Sequence, residues 1–581
     1  MGVYAGVTTE YLTQDDASKI APALLKYRIW AKSKGATDLG RPTVDFNFAD
    51  NKSLVDEVSG NSLIDFARST TATYVGSDGL IKTSPVNLLP YSEQFDQWND
   101  FGNTVLSNSV KAPNETVTAD TVTINAAYAS VLTYHGNFAA EGGTAYTFSI
   151  WLKADSPRNF GYIFYDDVSG VQSGTFSVTT NWERFEVTKT YGVGSTDQRV
   201  GIGWNTVTTA YAWGAQIEKD ITANDYLPTS GTKSGAPRFD HDPLTGECRG
   251  LLIEEGRTNL VSTSIPSGWG DFNRTTETTG ITAPDGSTDA KNYDNTGGTV
   301  NDFVYVNVNT TLSTGDSYVI SVFSNKSETD ISQGGLASGK YTALGSTQHI
   351  QYQNGWYRHW RAYEATQDNP NITPQIVIYT SGTLSNQTLW GLQVEPVLET
   401  NSFEFPTSYI PTSGSQVTRS PDLTEIDGTN FTSWYNSSES TIYSEFNGFI
   451  PTGATGAYFG SNTNGWGFYS STTSNIVNKG STNHSPDGGS FSVSNGQISE
   501  FRGAISQSDV DGETSYAVNG SMIATDATRS GPYSLTGSHI GMSVSAADTG
   551  SESQTRGSFV VRRTTYWNRR VTNAVLESLT E

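Results

Sequence analysis

The chain has 581 residues, of which 35% are apolar, 12% aromatic and 16% charged, and its net charge is −24. That aromatic content excludes a disordered chain, and the acidity argues against nucleic acid, whose phosphates it would repel. A single cysteine, Cys248, excludes a disulfide framework, and no apolar run approaches the roughly 18 residues that would insert into a membrane.

The length predicts about three to five domains. Thr and the aromatics favour pleated strands, while the helix formers are sparse, so the composition reads as all-β with many turns. The opening "MGVYAGVTTEYLTQDD" has no basic start followed by an apolar core, so no signal peptide is expected. Residues 1–40 differ from the rest. "TQDDASKIAPALLKYRIWAKSKGATD" predicts helix, with Thr13 as N-cap, Asp15 and Asp16 in the first turn and Gly35 as the stop. Pro22 permits either two short helices or a start at that proline. Between Lys19 and Lys34 stand five basic residues and no acidic one. Both a solvated helix and a docking segment fit. In the second case Leu25, Lys26, Arg28, Ile29 and Trp30 are the candidate contact residues.

Residues 41–86 carry short alternating strands, as in "VDFNFAD" and "LIDFARSTTATYVGSDGLIKTSPVN". From 87 onward the chain repeats itself. "NLLPYSEQFDQW" at 87 faces "NLVSTSIPSGW" at 259, and "KAPNETVTAD" at 111 faces "TAPDGSTDA" at 282. "AYTFSIWLK" at 145 faces "SYVISVFSN" at 317, and "NWERF" at 181 faces "NGWYRHW" at 354. "WGAQIE" at 213 returns as "WGLQVE" at 390, and "YLPTSGT" at 226 as "YIPTSGS" at 409. The shared order marks a duplicated domain of about 150 residues, spanning 87–235 and 259–420. Short strands at regular spacing predict two-sheet sandwiches, and in "YTFSIWLKA" residues Tyr146, Phe148, Ile150 and Leu152 share one face. The tryptophans that recur in both copies, Trp182 with Trp356 and Trp213 with Trp390, read as core.

Between the copies, "GAPRFDHDPLTGECRGLLIEEGRTN" predicts a hairpin turning at 242–246. The last region, 421–581, matches neither copy. It has strands such as "STIYSEFNGF" and "SFVVRRTTYWNRR" and ends in a short helix capped near Thr572.

"ATYVGSDGLIKTSPVN", "APRFDHDPLTGECRGLLIEEGRTNL", "WGAQIE" with "YLPTSGT", and "YWNRRVTNAVLESLT" resemble a family of bacteriophage head spike or tail fibre proteins with carbohydrate-binding-module-like and concanavalin A-like lectin domains. The resemblance covers most of 60–581 and none of the first 40 residues. It implies tandem jelly-roll or β-sandwich domains, with a concanavalin A-like sandwich over 421–581; beside such domains, the docking reading makes 1–40 a virion-anchoring segment. It also implies a homotrimer on the virion surface, with capsid or tail proteins as partners and host-surface glycans as ligands. In such relatives the "ATYV…GLIK" strands lead straight into the "PRFDHDP…LLIEE" hairpin. Here the first copy stands between them, so 41–86 is expected to pair with 236–258 across an inserted domain.

Catalytic signals are weak. Retaining glucanases on the concanavalin A-like fold use a Glu-x-Asp-x-x-Glu strand. Glu425 and Asp427 match its first half, but Thr429 and Asn430 occupy the place of the acid/base and cannot exchange a proton near neutral pH. Asp240, His241, Asp242 and Glu247 suit a metal by type, yet an Asp-Pro-x-x-Gly turn explains them equally. Asp166 with Asp167, and Glu254 with Glu255, are adjacent pairs whose side chains point to opposite strand faces. No nucleophile elbow, HExxH or P-loop is present, so no enzyme, no cofactor and no metal is expected. Loop-held calcium is compatible with such sandwiches, but no spacing picks out a site. Sugar binding would use aromatics in Gly-, Ser- or Asn-rich loops, here Trp98, Trp269, Trp434 and Trp466, the last with Asn464 beside it. The expectation is a non-enzymatic virion fibre or spike that binds host carbohydrate. A purely structural decoration protein and a glycan depolymerase stay open.

Overall fold

The computed structural model describes residues 30–31, 33–34, 39–100, 102–125, 133–136, 141–204, 206–231, 233–272, 276–295, 302–308, 310, 312–333, 339–368, 372–379, 386–397, 405–449, 456–461, 466–470, 499–510, 512–526, 537–543 and 558–581. Their regular structure is overwhelmingly strand, and they fall into two compact units. One comprises 67–72 and 83–236, and the other takes in the described residues of 1–66, 73–82 and 237–581.

The 83–236 unit is a sandwich of two five-stranded antiparallel sheets. One sheet runs Glu183–Thr190, Ala145–Lys153, Thr209–Glu218, Ala119–Ile124, Asn103–Val110. The other runs Gly170–Val178, Arg158–Asp166, Gln198–Ile202, Thr133–Gly136, Asn99–Asp100. Tyr146, Phe148, Ile150 and Leu152 all face the core, as the alternation predicts, against Phe160, Phe164, Val200 and Ile202. Each such side chain contributes about 1.5–3 kcal/mol by leaving water. In Thr209–Glu218 the phase slips once. Ala210 and Ala212 point inward, Gly214 at φ 63° makes a bulge, and Ala215 and Ile217 point inward again. Trp213 is thereby turned to the outer face.

The second copy repeats this plan inside the larger unit. Its main sheet runs Thr276–Ile281, Ala290–Asp294, Asn386–Val397, Ser317–Ser324, Tyr357–Ala365, Tyr341–Ala343, and Gly391 at φ 65° makes the equivalent bulge. Gly270–Phe272, Asp302–Tyr305, Pro374–Tyr379 and Ile331–Gln333 form the smaller sheet.

The C-terminal sandwich corrects two expected boundaries. Its eight-stranded sheet runs Arg238–His241, Cys248–Glu254, Ser558–Trp567, Glu439–Phe449, Ser499–Ser508, Glu513–Val518, Ser521–Asp526, with Val44–Phe46 also pairing Ser558–Trp567. The opposing sheet begins with Asp65–Ala67, beside Leu423–Asp427. The domain is therefore not confined to 421–581. Leu251 and Ile253 are fully buried in its core, on rungs opposite Val561 and Phe559. The second correction concerns the expected pairing of 41–86 with 236–258. Strands within 63–83 share no sheet with those of 236–256. The hairpin of Ala72–Val75 and Ile81–Ser84 pairs with itself. It is joined to the Arg238–His241 edge by side chains: Asp240 Oδ1 accepts from Val75 N at 2.8 Å, His241 Nδ1 meets Val75 O at 2.9 Å, and Arg238 Nη1 donates to Thr73 O at 2.8 Å.

Arg238 is itself part of a buried ion network. Glu254 meets Arg238 at 2.7 Å and Arg419 at 3.2 Å, and Arg238 also meets Asp422. Burial alone would raise the Glu254 pKa. The Arg419 and Arg238 guanidiniums and two hydrogen bonds from Ser408 hold it instead at about 2. The terminal helix Asn573–Thr580 forms where predicted, with Thr572 as its cap and Leu576 and Leu579 buried against Trp567.

Candidate functional site

Within the larger unit, four separated stretches converge on a cleft of about 170 Å³: the 72–84 hairpin, the 238–254 hairpin, the second copy and the C-terminal sheet. The strand Tyr357–Ala365 places Arg358 and Trp360 on one face, paired with Phe323 and Ser321 of Ser317–Ser324. Trp360 is partly exposed and packs edge-on against Phe405, ring centroids 4.8 Å apart. Arg358 lies almost buried behind them. Its Nη1 donates to Thr407 O at 2.7 Å, its Nη2 to Ser321 Oγ at 3.1 Å, and its guanidinium lies 5.4 Å from the Phe323 ring centroid. Its Nε, however, is buried without a hydrogen-bond partner among the described residues. So is Oδ1 of Asn447, across the cleft on Glu439–Phe449. Tyr74, Asp240 and Arg249 are further lining residues. Burial pushes the Asp240 carboxyl up to about 6, against the pull of the Val75 N–H.

An aromatic wall next to one unpaired donor and one unpaired acceptor suits a ligand with apolar C–H faces and hydroxyl groups, because a hydroxyl both donates and accepts. Leaving such buried polar atoms empty is costly, and in a cleft either water or a ligand hydroxyl completes them. Glu254 also lines the cleft, but its Oε1 accepts from Ser408 N at 2.7 Å and its Oε2 from Ser408 Oγ at 2.6 Å and from Arg238. A carboxylate so engaged is ill placed to act as a nucleophile.

Of the residues singled out from loop composition, Trp98, Trp269 and Trp434 are not among those lining this cleft. Trp98 is 4% exposed, donates from Nε1 to Tyr91 O at 2.7 Å and packs on Phe95. Trp434 is 7% exposed between Phe431 and Tyr566. Trp98 is the C-cap of the short turn Phe95–Gln97 and Trp434 follows Ser433, the C-cap of Gly428–Thr432; both indoles are rolled inward and are core residues rather than rim platforms. Trp269 is half-buried against the core of the second copy, its Nε1 donating to Thr263 O at 3.2 Å. Trp466 opens the strand Trp466–Ser470, while its side chain and Asn464 lie outside the described residues. Leu25, Lys26, Arg28 and Ile29 lie outside them too. Trp30 is described and partly exposed. The Arg563 guanidinium lies 3.9 Å from its ring centroid and the Tyr443 ring 5.3 Å away, so this indole is docked on the chain's own C-terminal sandwich.

The catalytic trace also resolves. Glu425 and Asp427 are exposed on Leu423–Asp427, but Asn430 sits in the following helical turn and not on the strand. In the 238–247 cluster, Asp242 accepts from the N–H groups of Leu244 and Thr245 and pairs with Arg249, and Glu247 pairs with Arg562. These side chains build the turn and tie it to the sheet. Trp360 was missed because only a position-by-position comparison of the copies isolates it. Its register partner is Ser321, whereas in the first copy the partner of the equivalent Ser149 is Glu186.

No protein-family model and no curated protein matches the sequence. Among solved structures, the chain is similar to the enzymatically active domain of tailspike protein 4 of bacteriophage CBA120, with 14% identity, a TM-score of 0.19, and coverage of 22% of this chain and 21% of that one. A CBM4 structure matches with 15% identity and a TM-score of 0.18 over 23% of this chain and 100% of that one. The tandem CBM22-1–CBM22-2 of Paenibacillus barcinonensis Xyn10C matches with 12% identity and a TM-score of 0.22, over 53% of this chain and 96% of that one. At these TM-scores the likenesses decide nothing about activity.

Proposed function

We propose that this protein is a virion surface fibre or spike that binds host-surface carbohydrate without cleaving it. The observation that carries the binding is the cleft at Trp360, where a partly exposed aromatic pair stands beside the unpaired Arg358 Nε and Asn447 Oδ1. Sugar rings stack their C–H faces on such rings while their hydroxyls complete the polar atoms. The virion setting comes from the sequence resemblance. A homotrimer, which that resemblance also implies, would turn weak single-site contacts into useful avidity. The engagement of Glu254 by Arg238 and Ser408 supports binding over hydrolysis.

The test is an array printed with bacterial O-chain, capsule and plant oligosaccharides, probed with the full chain. Wild type is expected to bind a subset, and Trp360→Ala to bind that subset roughly tenfold more weakly, as loss of one stacking contact would give. Absence of binding to every glycan at high protein concentration would leave a structural role as the better reading.

A further inference from the structure

The duplication lets one surface be compared with its own relative. In the second copy the outer face of the main sheet is an aromatic floor of Phe323, Trp356, Trp390 and Tyr409, all buried, with Val75 and Ile81 of the 72–84 hairpin packed into the same cluster. The matching residues of the first copy, Trp151, Trp182, Trp213 and Tyr226, form the matching cluster. There only Trp213 is buried, and the other three are each partly exposed.

The equivalence is fixed by register and hydrogen bonding. Trp151 pairs with Arg184 as Phe323 pairs with Arg358, and each arginine's Nη2 donates to the serine two positions before its aromatic partner, at 3.0 and 3.1 Å. Gly214 and Gly391 are the two bulge glycines beneath these floors. What differs is the cover and the rim. No described residue of the 83–236 unit plays the part of Val75 and Ile81. Where the second copy has Trp360, the first has the exposed Glu186. Common to both faces is a buried indole N–H without a hydrogen-bond partner among the described residues, Trp151 Nε1 in the first copy and Trp390 Nε1 in the second.

We infer that this outer face of the first sandwich is a second carbohydrate platform, on which a neutral or weakly charged saccharide lies across Trp151, Trp182 and Tyr226. The assignment rests on the carbohydrate-binding reading above and gives it a second, more open site. An aliphatic peptide hairpin of the kind covering the second copy fits less well, because it would take the Glu186 carboxylate out of water next to apolar side chains. A saccharide leaves that carboxylate solvated and stacks on the partly exposed indole and phenol faces.

The experiment is tryptophan oxidation footprinting of the full chain by N-bromosuccinimide with mass-spectrometric readout. The probes are xylohexaose, cellohexaose and the O-chain or capsule fragments that score on the array. The expected result is that a bound saccharide slows oxidation of Trp151 and Trp182, and that Trp182→Ala weakens binding roughly tenfold. Because the footprint needs no variant, a poorly folding substitution does not decide the matter. Protection of Trp360 alone would overturn the platform and leave the cleft standing. Protection that appears on raising the protein concentration without sugar would overturn it in favour of a second copy of the chain. If wild type binds no saccharide at all, the functional reading itself falls and the platform with it.

Discussion

Asn87 and Asn259 tie the same knot in the two copies. Asn87 Nδ2 donates to the carbonyls of Ala215 and Leu227 at 3.1 and 2.9 Å, while its Oδ1 accepts from the N–H groups of Leu89 and Ile217 at 3.1 and 3.2 Å. Asn259 Nδ2 donates to Leu392 and Ile410 at 3.4 and 2.8 Å, and its Oδ1 accepts from Val261 and Val394, both at 3.1 Å. The repeated Tyr-x-Pro-Thr-Ser-Gly phrase is the other half of this latch. Tyr226 meets Ser92 Oγ at 2.7 Å and Tyr409 meets Ser264 Oγ at 2.6 Å, while the same serines accept from the N–H groups of Thr229 and Thr412 at 2.8 and 2.9 Å. The phrase recurs because it ties the end of each copy to that copy's own opening segment, 87–92 or 259–264.

Removing either asparagine strands four buried or part-buried backbone groups. Asn87→Ala and Asn259→Ala are each expected to cost about 4 kcal/mol, taking each lost hydrogen bond at ~1 kcal/mol. Hydrogen exchange resolved by segment should show the loss confined to the 83–236 unit for Asn87→Ala and to the other unit for Asn259→Ala.

The bulge glycines should differ in tolerance. Both have positive φ, so a Cβ costs about 1–2 kcal/mol at either site. At Gly391 it would also stand 2.9 Å from Phe323 Cδ2, a fully buried ring, whereas at Gly214 it would stand 3.1 Å from the partly exposed Trp151. Gly391→Ala is therefore expected to destabilise more than Gly214→Ala in denaturant titrations of the two variants.

Glu254 sets an acid limit with a defined sign. Its carboxyl, ordinarily at 4.5, is held at about 2 in the fold. The stabilisation is complete above pH ~4.5 and is lost as the pH falls through about 2, an effect of about 3 kcal/mol. The stability difference between wild type and Glu254→Gln should shrink over that interval. Burial raises Asp120 to about 6 despite N–H bonds from Asn108 and Phe95, so its contribution runs the other way: it is present at low pH and lost as pH rises toward 6. Carboxyl ¹³C titration should find the two groups on opposite sides of the ordinary range.

Trp30→Ala removes the stack on Arg563 and the contact with Tyr443. A loss of about 1–3 kcal/mol is expected, read as faster exchange in Asn573–Thr580. Unchanged stability together with failed incorporation into particles would assign this residue an anchoring role instead.

The duplicated sandwiches, the 238–254 hairpin and the capped terminal helix were legible because each rests on local pattern: alternation, turn chemistry or a cap. The recruitment of Val44–Phe46 and Cys248–Glu254 by Ser558–Trp567 was not. Partners hundreds of residues apart leave no periodic trace in either segment. Loop composition misled at Trp98 and Trp434, since a helical turn of three to five residues decides the indole's direction and looks like loop in sequence. The cleft was invisible for the same reason as the recruited strands, being assembled from four distant stretches.

The most direct measurement is a crystal structure of the full chain with the oligosaccharide it binds best on the array. The account predicts a sugar ring against Trp360 and Phe405, with hydroxyls on Asn447 Oδ1 and Arg358 Nε. Saccharide density only at a site remote from both aromatic faces, or a glycosidic bond found cleaved, would contradict it.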